Sequence, residues 1–469
     1  MIGLQFLYWS LLALFPGVKG YDIRVQIKNA ASDTLLLAYY YAEKQFVKDT
    51  AIASNGIFQF KGDSTLEAGV YILVMPPKYE PIQLFINEEE QHLTIDLDAK
   101  QIAKSFQVKG SRDNELFYDY LRYLEEKRPQ AQAISDKIKT EKEAGRDVAV
   151  LQENLEKING EVKNKQSEII KNFPASMTAI LINASIEVTI PEMKGTQEQI
   201  EMNRYLYYKA HYFDHLTLED PRLLRSPLIH ERINYYLEKL TLQHPDSIKH
   251  SLDDILRRIQ PAEETFRYYL VQFLNNYANS KIVGFDALYV HLVDEYYSKG
   301  FAPWVAAEQL EKIQKNASAL RPILIGKTAP EIRLTRYPEQ TPITLHGIRS
   351  PYTVLFIWDP ECSHCKSSLP HVIDFYNKYK AKGVEVLAVC SQFSDKVPAC
   401  WKYLEEHNIK PGWINAADPF HASKYKVLYD VRTTPQLFIM DAKKTILSKN
   451  IGAEQLSEVM DNIILRNKS

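Results

Sequence analysis

Cys362 and Cys365 are two cysteines three residues apart. Among the residues of this chain, their type and spacing best suit a chemical role. Thiols at this spacing interconvert between a dithiol and a disulfide. An apolar run suited to a buried strand, Thr353 to Trp358, precedes them, and a segment with helical periodicity, Lys366 to Lys382, follows them. We therefore expect the first cysteine at a helix N-terminus, where unpaired amides and the helix dipole favour a thiolate.

The two sulfurs are expected to have different roles. Cys362, exposed at the helix start, would attack a partner disulfide, and Cys365, one turn deeper, would resolve the mixed disulfide. Neighbouring charges act in opposite directions, because a protonated His364 would lower the thiol pKa whereas Asp359 and Glu361 would raise it. The motif alone therefore leaves the direction of electron flow open.

Three other interpretations of the cysteines compete with this one. A zinc site needs four ligands, and the remaining cysteines, Cys390 and Cys400, do not form a second close pair. A permanently closed Cys362–Cys365 disulfide would be a poor staple, because the stabilisation grows with loop length. A peroxiredoxin would need a Pro-x-x-x-Thr-x-x-Cys run, which this sequence lacks. Cys390 and Cys400 are expected to be ordinary buried thiols rather than a second disulfide, since cysteine is a common core residue.

The composition of the whole chain narrows the function classes. With 469 residues there is room for roughly three domains. The 57 basic and 59 acidic residues are interspersed, which gives no field suited to nucleic acid. No nucleotide-binding motif is present, and His211 and His215 lack the intervening glutamate of a metalloprotease helix. We therefore predict no metal and no cofactor other than the cysteine pair.

The first 20 residues have the pattern of an export signal. Met1 to Gly20 is largely apolar, contains no acidic residue and ends in Val18-Lys19-Gly20. This predicts a signal peptide cleaved after Gly20, with an uncleaved membrane anchor as the competing interpretation. Either places the protein in the periplasm or cell envelope, where disulfides persist.

The periodicity of the mature chain changes twice. Residues 21–110 alternate with period two, as in Ile23, Val25 and Ile27, and Asn55-Gly56 is a hairpin signal, so this segment is predicted to be a small antiparallel β domain of sandwich type. Residues 111–320 have helical spacing, with two charged helices separated near Gly145 forming an antiparallel hairpin. Residues 321–469 alternate strands and helices, which predicts an α/β domain.

This last segment resembles the thioredoxin-like domain of the TlpA/ResA-like exported thiol-disulfide oxidoreductases, within the AhpC/TSA-type superfamily. The resemblance rests on four stretches: Gly326 to Pro330, the run from Trp358 to Cys365, Pro370, and Thr433-Thr434-Pro435. It covers about the last third of the chain. The β and helical segments before it loosely resemble the extensions that precede such domains in Gram-negative envelope proteins.

The resemblance implies roles for residues outside the cysteine motif. Pro370 would kink the helix, and the Thr434–Pro435 peptide would be cis, with Pro435 packed against the cysteines and the Thr434 backbone pairing with an extended substrate. One departure is that Phe356 occupies the position where many thioredoxins carry a buried acid. Proton transfer at Cys365 would then use another group, such as Glu361, His364 or solvent.

These observations predict an envelope thiol-disulfide oxidoreductase that acts on protein substrates, in the reducing direction by resemblance. Its reductant would come from a membrane thiol-electron donor. The N-terminal domains would choose substrates or mediate homo-oligomerisation. The alternative is an envelope binding or scaffold protein whose N-terminal domains engage a partner and whose thioredoxin-like domain is accessory.

Overall fold

The computed structural model describes residues 20–77, 80–410 and 412–466. Within these ranges the chain forms two compact units, one running to Thr241 with Arg257–Phe266 and the other comprising Leu242–Leu256 with residues from Arg267 onward. The predicted signal peptide lies outside the described residues apart from Gly20. Among the described helices, none combines the length and the apolar character needed to span a bilayer. The division of the chain at residues 20, 110 and 320 stays a prediction.

Eight strands at the start of the first unit form a β-sandwich. They are β1 (Tyr21–Lys28), β2 (Thr34–Tyr41), β3 (Lys44–Ile52), β4 (Ile57–Gly62), β5 (Gly69–Val74), β6 (Pro81–Ile86), β7 (His92–Asp98) and β8 (Gln107–Lys109). Two four-stranded sheets, β4-β1-β7-β8 and β3-β2-β5-β6, share one apolar core. All pairings are antiparallel except that of β1 with β7. The predicted β domain is thus confirmed.

Two details of this sandwich differ from expectation. Strand β3 was not predicted, because it lies at a sheet edge with most of its side chains exposed and therefore lacks apolar alternation. Asn55 and Gly56 do form a tight turn, with φ of 54° and 78°. The strands on either side belong to different sheets, however, so the turn crosses the sandwich. Ser54 and Ile57 form one antiparallel bridge across this turn, so the hairpin signal of Asn55-Gly56 is confirmed locally, but the pairing does not continue between β3 and β4.

The helical part of the chain begins directly after β8. A short helix, α1 (Ile102–Ser105), precedes β8, and the following helices are α2 (Arg112–Glu143), α3 (Ala149–Asn172), α4 (Met177–Ala184), α5 (Gln197–Ala210), α6 (Leu228–Glu238), α7 (Pro245–Ile259), α8 (Glu263–Ala278), α9 (Asp286–Leu292) and α10 (Ala307–Leu320). The predicted hairpin is confirmed: α2 and α3 pack together, and Lys127 Nζ donates to Glu161 Oε2 at 2.7 Å.

The C-terminal part is one mixed sheet covered by helices. Its elements are β9 (Arg333–Tyr337), β10 (Pro342–Thr344), β11 (Tyr352–Trp358), α11 (Ser363–Tyr379), β12 (Val384–Cys390), α12 (Pro398–Glu406), β13 (Ile414–Ala417), α13 (Tyr425–Leu428), β14 (Gln436–Asp441), β15 (Ile446–Lys449) and α14 (Leu456–Arg466). The strand order is β10-β9-β13-β12-β11-β14-β15. The predicted α/β class is confirmed.

Strand β11 lies inside this sheet and determines where the cysteines are. It pairs in parallel with β12 and antiparallel with β14. Its side chains alternate between two cores, with Val354, Phe356 and Trp358 on the α11 side and Leu355 and Ile357 on the other. A strand buried on both faces cannot slip in register without exposing apolar side chains. The sheet therefore holds the carboxyl end of β11, and the start of α11 that follows it, in a defined place.

Candidate active site

Both cysteines of the motif lie at the start of α11. Cys362 is the N-cap residue and is partly exposed, whereas Cys365 lies in the first turn and is fully buried. The helix is fixed there because its apolar face, including Leu369 and Val372, packs into the core beneath the sheet. In this structure both cysteines are free thiols. The arrangement presents one sulfur to solvent and hides the other.

The surroundings of Cys362 favour its thiolate. Burial acts to raise the pKa of this thiol, but hydrogen bonds from the backbone and thiol of Cys365, together with the His364 amide, outweigh it and bring the pKa below its usual value. As a thiol, Cys362 Sγ donates to the carbonyl oxygen of Thr434 at 3.2 Å, a contact that stabilises the protonated form but does not reverse the lowering of the pKa. Because the thiolate is the nucleophilic form, Cys362 is the sulfur suited to attack.

The surroundings of Cys365 have the opposite effect. Burial raises the pKa of this thiol to about 12. The backbone amide of Asp359 donates a hydrogen bond to its Sγ at 3.4 Å, which offsets part of the effect of burial. At neutral pH Cys365 therefore keeps its proton, and the two sulfurs of one motif differ strongly in their ionisation.

The loop before β14 completes the site. The Thr434–Pro435 peptide is cis, as the family resemblance implied. Thr434 and Pro435 are both half-buried, and β14 begins directly after them and pairs with β11. The antiparallel pairing of β11 and β14 thus brings Thr434, 72 residues along the chain, to Cys362.

For the other predicted site residues the structure gives a location but no role. Trp358 is buried, and its ring lies 6.1 Å from that of Tyr403. His364, Glu361 and Pro370 are exposed on or beside the first turns of α11. Their individual roles remain predictions.

Comparison with known families matches three parts of the chain. Residues 325–449 match the AhpC/TSA family. Residues 21–117 and 151–322 match two domains of unknown function, DUF4369 and DUF5106.

Similar proteins point the same way. The thiol-disulfide oxidoreductase ResA of Bacillus cereus is 28% identical over 141 residues, which are 30% of this chain and 76% of that protein. Residues 325–449, the part of the chain that matches the AhpC/TSA family, belong to the AhpC/TSA family. This confirms the predicted thioredoxin-like oxidoreductase domain.

Two solved structures are also similar. A domain of a possible thiol-disulfide isomerase from Cytophaga hutchinsonii has 32% identity and a TM-score of 0.29, and the match covers 31% of this chain and 96% of that one. A thioredoxin-like protein from Bacteroides caccae has 19% identity and a TM-score of 0.45, with 59% of this chain and 98% of that one covered.

The AhpC/TSA domain contains an acid near Cys365 that sequence reasoning treated only as a nearby charge. Phe356 is buried and apolar, as expected, but the Asp359 carboxylate accepts hydrogen bonds from Ser391 Oγ at 3.0 Å and Gln392 Nε2 at 2.8 Å. Its own amide contacts Cys365. The sequence contained a signal for this contact. Ser391 and Gln392 directly follow a strand predicted to lie parallel to β11, and the carboxyl ends of parallel strands lie at the same edge of a sheet.

The AhpC/TSA domain also contains a second cysteine pair that was predicted wrongly. Cys390 and Cys400 form a disulfide, with their Cα atoms 6.2 Å apart. After β12 the chain turns back through a short 3-10 segment, Ser394–Lys396, so that the first turn of α12 returns to the end of the strand. Because these two sulfurs are bonded to each other, they are not available with Cys362 and Cys365 as a four-cysteine zinc site.

Proposed function

We propose that this protein is an envelope thiol-disulfide oxidoreductase that exchanges disulfides with protein substrates through Cys362 and Cys365. The observation that carries the proposal is the split ionisation of the two thiols, one with a lowered pKa and partial exposure, the other buried with a pKa of about 12. Sulfurs that differ in this way are suited to successive steps of one exchange reaction.

The reaction has two steps that balance in atoms and electrons. The Cys362 thiolate attacks one sulfur of a client disulfide, forms a mixed disulfide and releases the other client sulfur as a thiolate. Cys365 then loses its proton and attacks the Cys362 sulfur, which releases the second client thiolate and forms the Cys362–Cys365 disulfide. The client gains two electrons, the protein loses two, and no bound cofactor is needed.

The high pKa of Cys365 supports the reducing direction. A thiol of high pKa is a poor leaving group from a disulfide and a strong nucleophile once deprotonated. This favours the Cys362–Cys365 disulfide, whereas the lowered pKa of Cys362 stabilises the dithiol; we propose that the effect of Cys365 is the larger and that electrons pass to the client.

Repeated turnover requires an electron donor, and it requires that the protein reach the compartment where its clients are. We propose a membrane dithiol as the donor, which would reduce the Cys362–Cys365 disulfide by the same exchange chemistry. The signal-like residues 1–20 support export to the periplasmic side of the envelope. The domains before the AhpC/TSA domain would serve client choice or homo-oligomerisation.

Trapping of the mixed disulfide tests the proposal. The full-length Cys365→Ser variant, incubated with oxidised insulin, is expected to accumulate a covalent complex through Cys362 that a reductant releases. The Cys362→Ser variant should form no complex and reduce insulin at the background rate. Unchanged insulin reduction by Cys362→Ser would refute the assignment.

A further inference from the structure

The helical hairpin of α2 and α3 has a groove of ≈ 380 Å³ between its two helices, within the first compact unit. The residues that line the groove are Leu124, Lys127, Arg128 and Ala131 of α2, and Ile158, Asn159, Val162, Lys163 and Gln166 of α3. We propose that this groove binds an amphipathic helix of a partner protein that carries Asp or Glu beside its apolar stripe. The site lies outside the AhpC/TSA domain and does not depend on the cysteine chemistry.

The groove has the length of a helix-binding site. On α2 its lining runs from Leu124 to Ala131, and on α3 from Ile158 to Gln166, which is about two turns, or ~11 Å, of each helix. Over that length an amphipathic helix presents one apolar stripe, at positions i, i+3, i+4 and i+7. A helix laid along the hairpin would therefore bury its stripe against both α2 and α3.

The floor of the groove is apolar and only partly covered. Its side chains, Leu124, Ala131, Ile158 and Val162, are all half-buried. Ala131 is smaller than Leu124 and Ile138, which lie two turns before and after it on the same face of α2, so the seam between the helices is hollow at its position. Removing half-exposed apolar surface from water is favourable, so a partner that covers this floor gains free energy.

The side chains along the groove carry positive charge. Lys127, Arg128 and Lys163 line it, and no Asp or Glu is among the described residues that do so. Glu161 neutralises Lys127, since its Oε2 accepts from Lys127 Nζ at 2.7 Å. Arg128 and Lys163 are exposed and form no ion pair with another residue of the described chain. Two uncompensated cations beside an apolar floor fit a helix that has carboxylates next to its apolar stripe.

The same charges disfavour a second copy of this chain in the groove. Two hairpins that met groove to groove would bring the Arg128 and Lys163 side chains of both copies together. Like charges placed opposite one another destabilise an interface. An acidic helix has no such cost, and it is therefore the occupant that the groove fits best.

The two walls of the groove are fixed before any partner binds. At one end, Gln166 Nε2 of α3 donates to the Tyr120 hydroxyl of α2 at 2.9 Å. The Lys127–Glu161 ion pair joins the same two helices farther along the hairpin. Because the walls are already held together, little conformational freedom is lost when a helix binds.

Two labelled peptides test the inference with the full-length protein. Both are about 20 residues long, so that they can form helices, and both have one stripe of leucines at i, i+3, i+4 and i+7. One carries Glu beside the stripe and the other carries Lys. In fluorescence anisotropy at low salt we expect the Glu peptide to bind about ten-fold more tightly, because it forms two ion pairs where the Lys peptide meets repulsion. Since exposed charges are screened, the difference should shrink at about 1 M salt.

A variant that fills the groove shows whether it is the binding site. Ala131→Leu places a larger side chain, which is also a good helix former, in the hollow and should weaken binding of the Glu peptide at least about ten-fold. Ala133→Leu makes the same change at an exposed position of α2 outside the lining and should leave binding unchanged. Circular dichroism verifies that each variant is folded.

A charge reversal tests the preference itself. The double variant Arg128→Glu with Lys163→Glu should reverse it, so that the Lys peptide binds more tightly. Lys137→Glu with Lys139→Glu makes the same change in net charge at exposed positions outside the lining and should retain the preference for Glu.

Equal affinity of the two peptides, or binding of neither, would overturn the inference. Binding that survives Ala131→Leu, or a preference that survives the reversal at Arg128 and Lys163, would overturn it too. A dimer of the unliganded protein in sedimentation that Ala131→Leu dissociates would assign the groove to a second copy instead. None of these variants alters Cys362, so insulin reduction measured on them reports separately on the proposed function.

Discussion

The AhpC/TSA domain holds two cysteine pairs at neighbouring strand ends, and they have opposite characters. Strands β11 and β12 pair in parallel, so that Trp358, just before the first pair, lies opposite Cys390 of the second. Cys362 and Cys365 are free thiols with a partly exposed sulfur, whereas Cys390 and Cys400 are bonded and fully buried. Exposure at a helix start, rather than the presence of two nearby cysteines, distinguishes the reactive pair from the closed one.

The two pairs are also connected. Ser391 and Gln392 follow Cys390 directly, and both donate to the Asp359 carboxylate. The Asp359 amide in turn contacts the Cys365 sulfur. The closed pair therefore supports the loop that positions an acid beside the reactive pair.

The largest expected effect is on alkylation of the two reactive sulfurs. At pH 8, iodoacetamide should modify Cys362 at least about 1,000-fold faster than Cys365, because the thiolate fraction follows each pKa. As pH rises, the Cys362 rate should reach half its maximum below pH 9.0, its usual pKa, while the Cys365 rate should keep rising to about pH 12. Mass spectrometry of the modified peptides measures both rates. Similar rates for the two sulfurs would remove the difference on which the mechanism depends.

The next effect is on stability and concerns the closed pair. Replacing Cys390 and Cys400 by alanine should lower the free energy of unfolding by about 3 kcal/mol, as expected for a disulfide that closes a loop of sequence separation 10. Urea unfolding of the oxidised proteins measures the change.

The matched control for this stability test is the same replacement of Cys362 and Cys365. Their shorter loop predicts a smaller loss, about 2 kcal/mol, relative to the oxidised protein. A larger loss at the reactive pair would reverse the assignment of the two pairs.

The smallest effect tests the connection between the pairs. Gln392→Leu removes a donor to Asp359, so the carboxylate charge is less compensated and disfavours the nearby thiolate more strongly. The reduction potential of Cys362/Cys365 should become more negative by about 20 mV, a five-fold change in the exchange equilibrium with glutathione. Gln314→Leu, on α10, is the matched control and should leave the potential unchanged. A potential that becomes less negative would show that the Asp359 charge does not act on the Cys362 thiolate in this way.

Much of the fold and the core of the site could be predicted from local patterns. Alternation in β1 indicated a half-buried strand, and spacing along α11 indicated which face packs into the core. The cysteine spacing together with Thr434-Pro435 indicated a thioredoxin-like domain. The strand and helix patterns depend on residues close together in sequence, so their periodicity carries the signal, whereas the thioredoxin-like domain was indicated by resemblance.

Other features depended on the path of the chain. The edge strand β3 has no alternation to reveal it, and the turn at Asn55-Gly56 gave no sign that its flanking strands enter different sheets. The Cys390–Cys400 bond likewise depends on how a connecting segment turns back. A local pattern predicts a turn or a buried residue, but it does not say which distant partner that residue meets.

The sequence by itself therefore determined the reactive pair of this protein, because a helix N-terminus and its dipole act within a few residues of Cys362. Only the tertiary structure decided what surrounds that pair: the Thr434 carbonyl and the Asp359 carboxylate with its donors. The physical reason is that the hydrogen bonds from Cys365 and His364 that lower the Cys362 pKa are local, whereas the burial that raises the Cys365 pKa comes from residues that are distant in sequence and meet only in the folded chain.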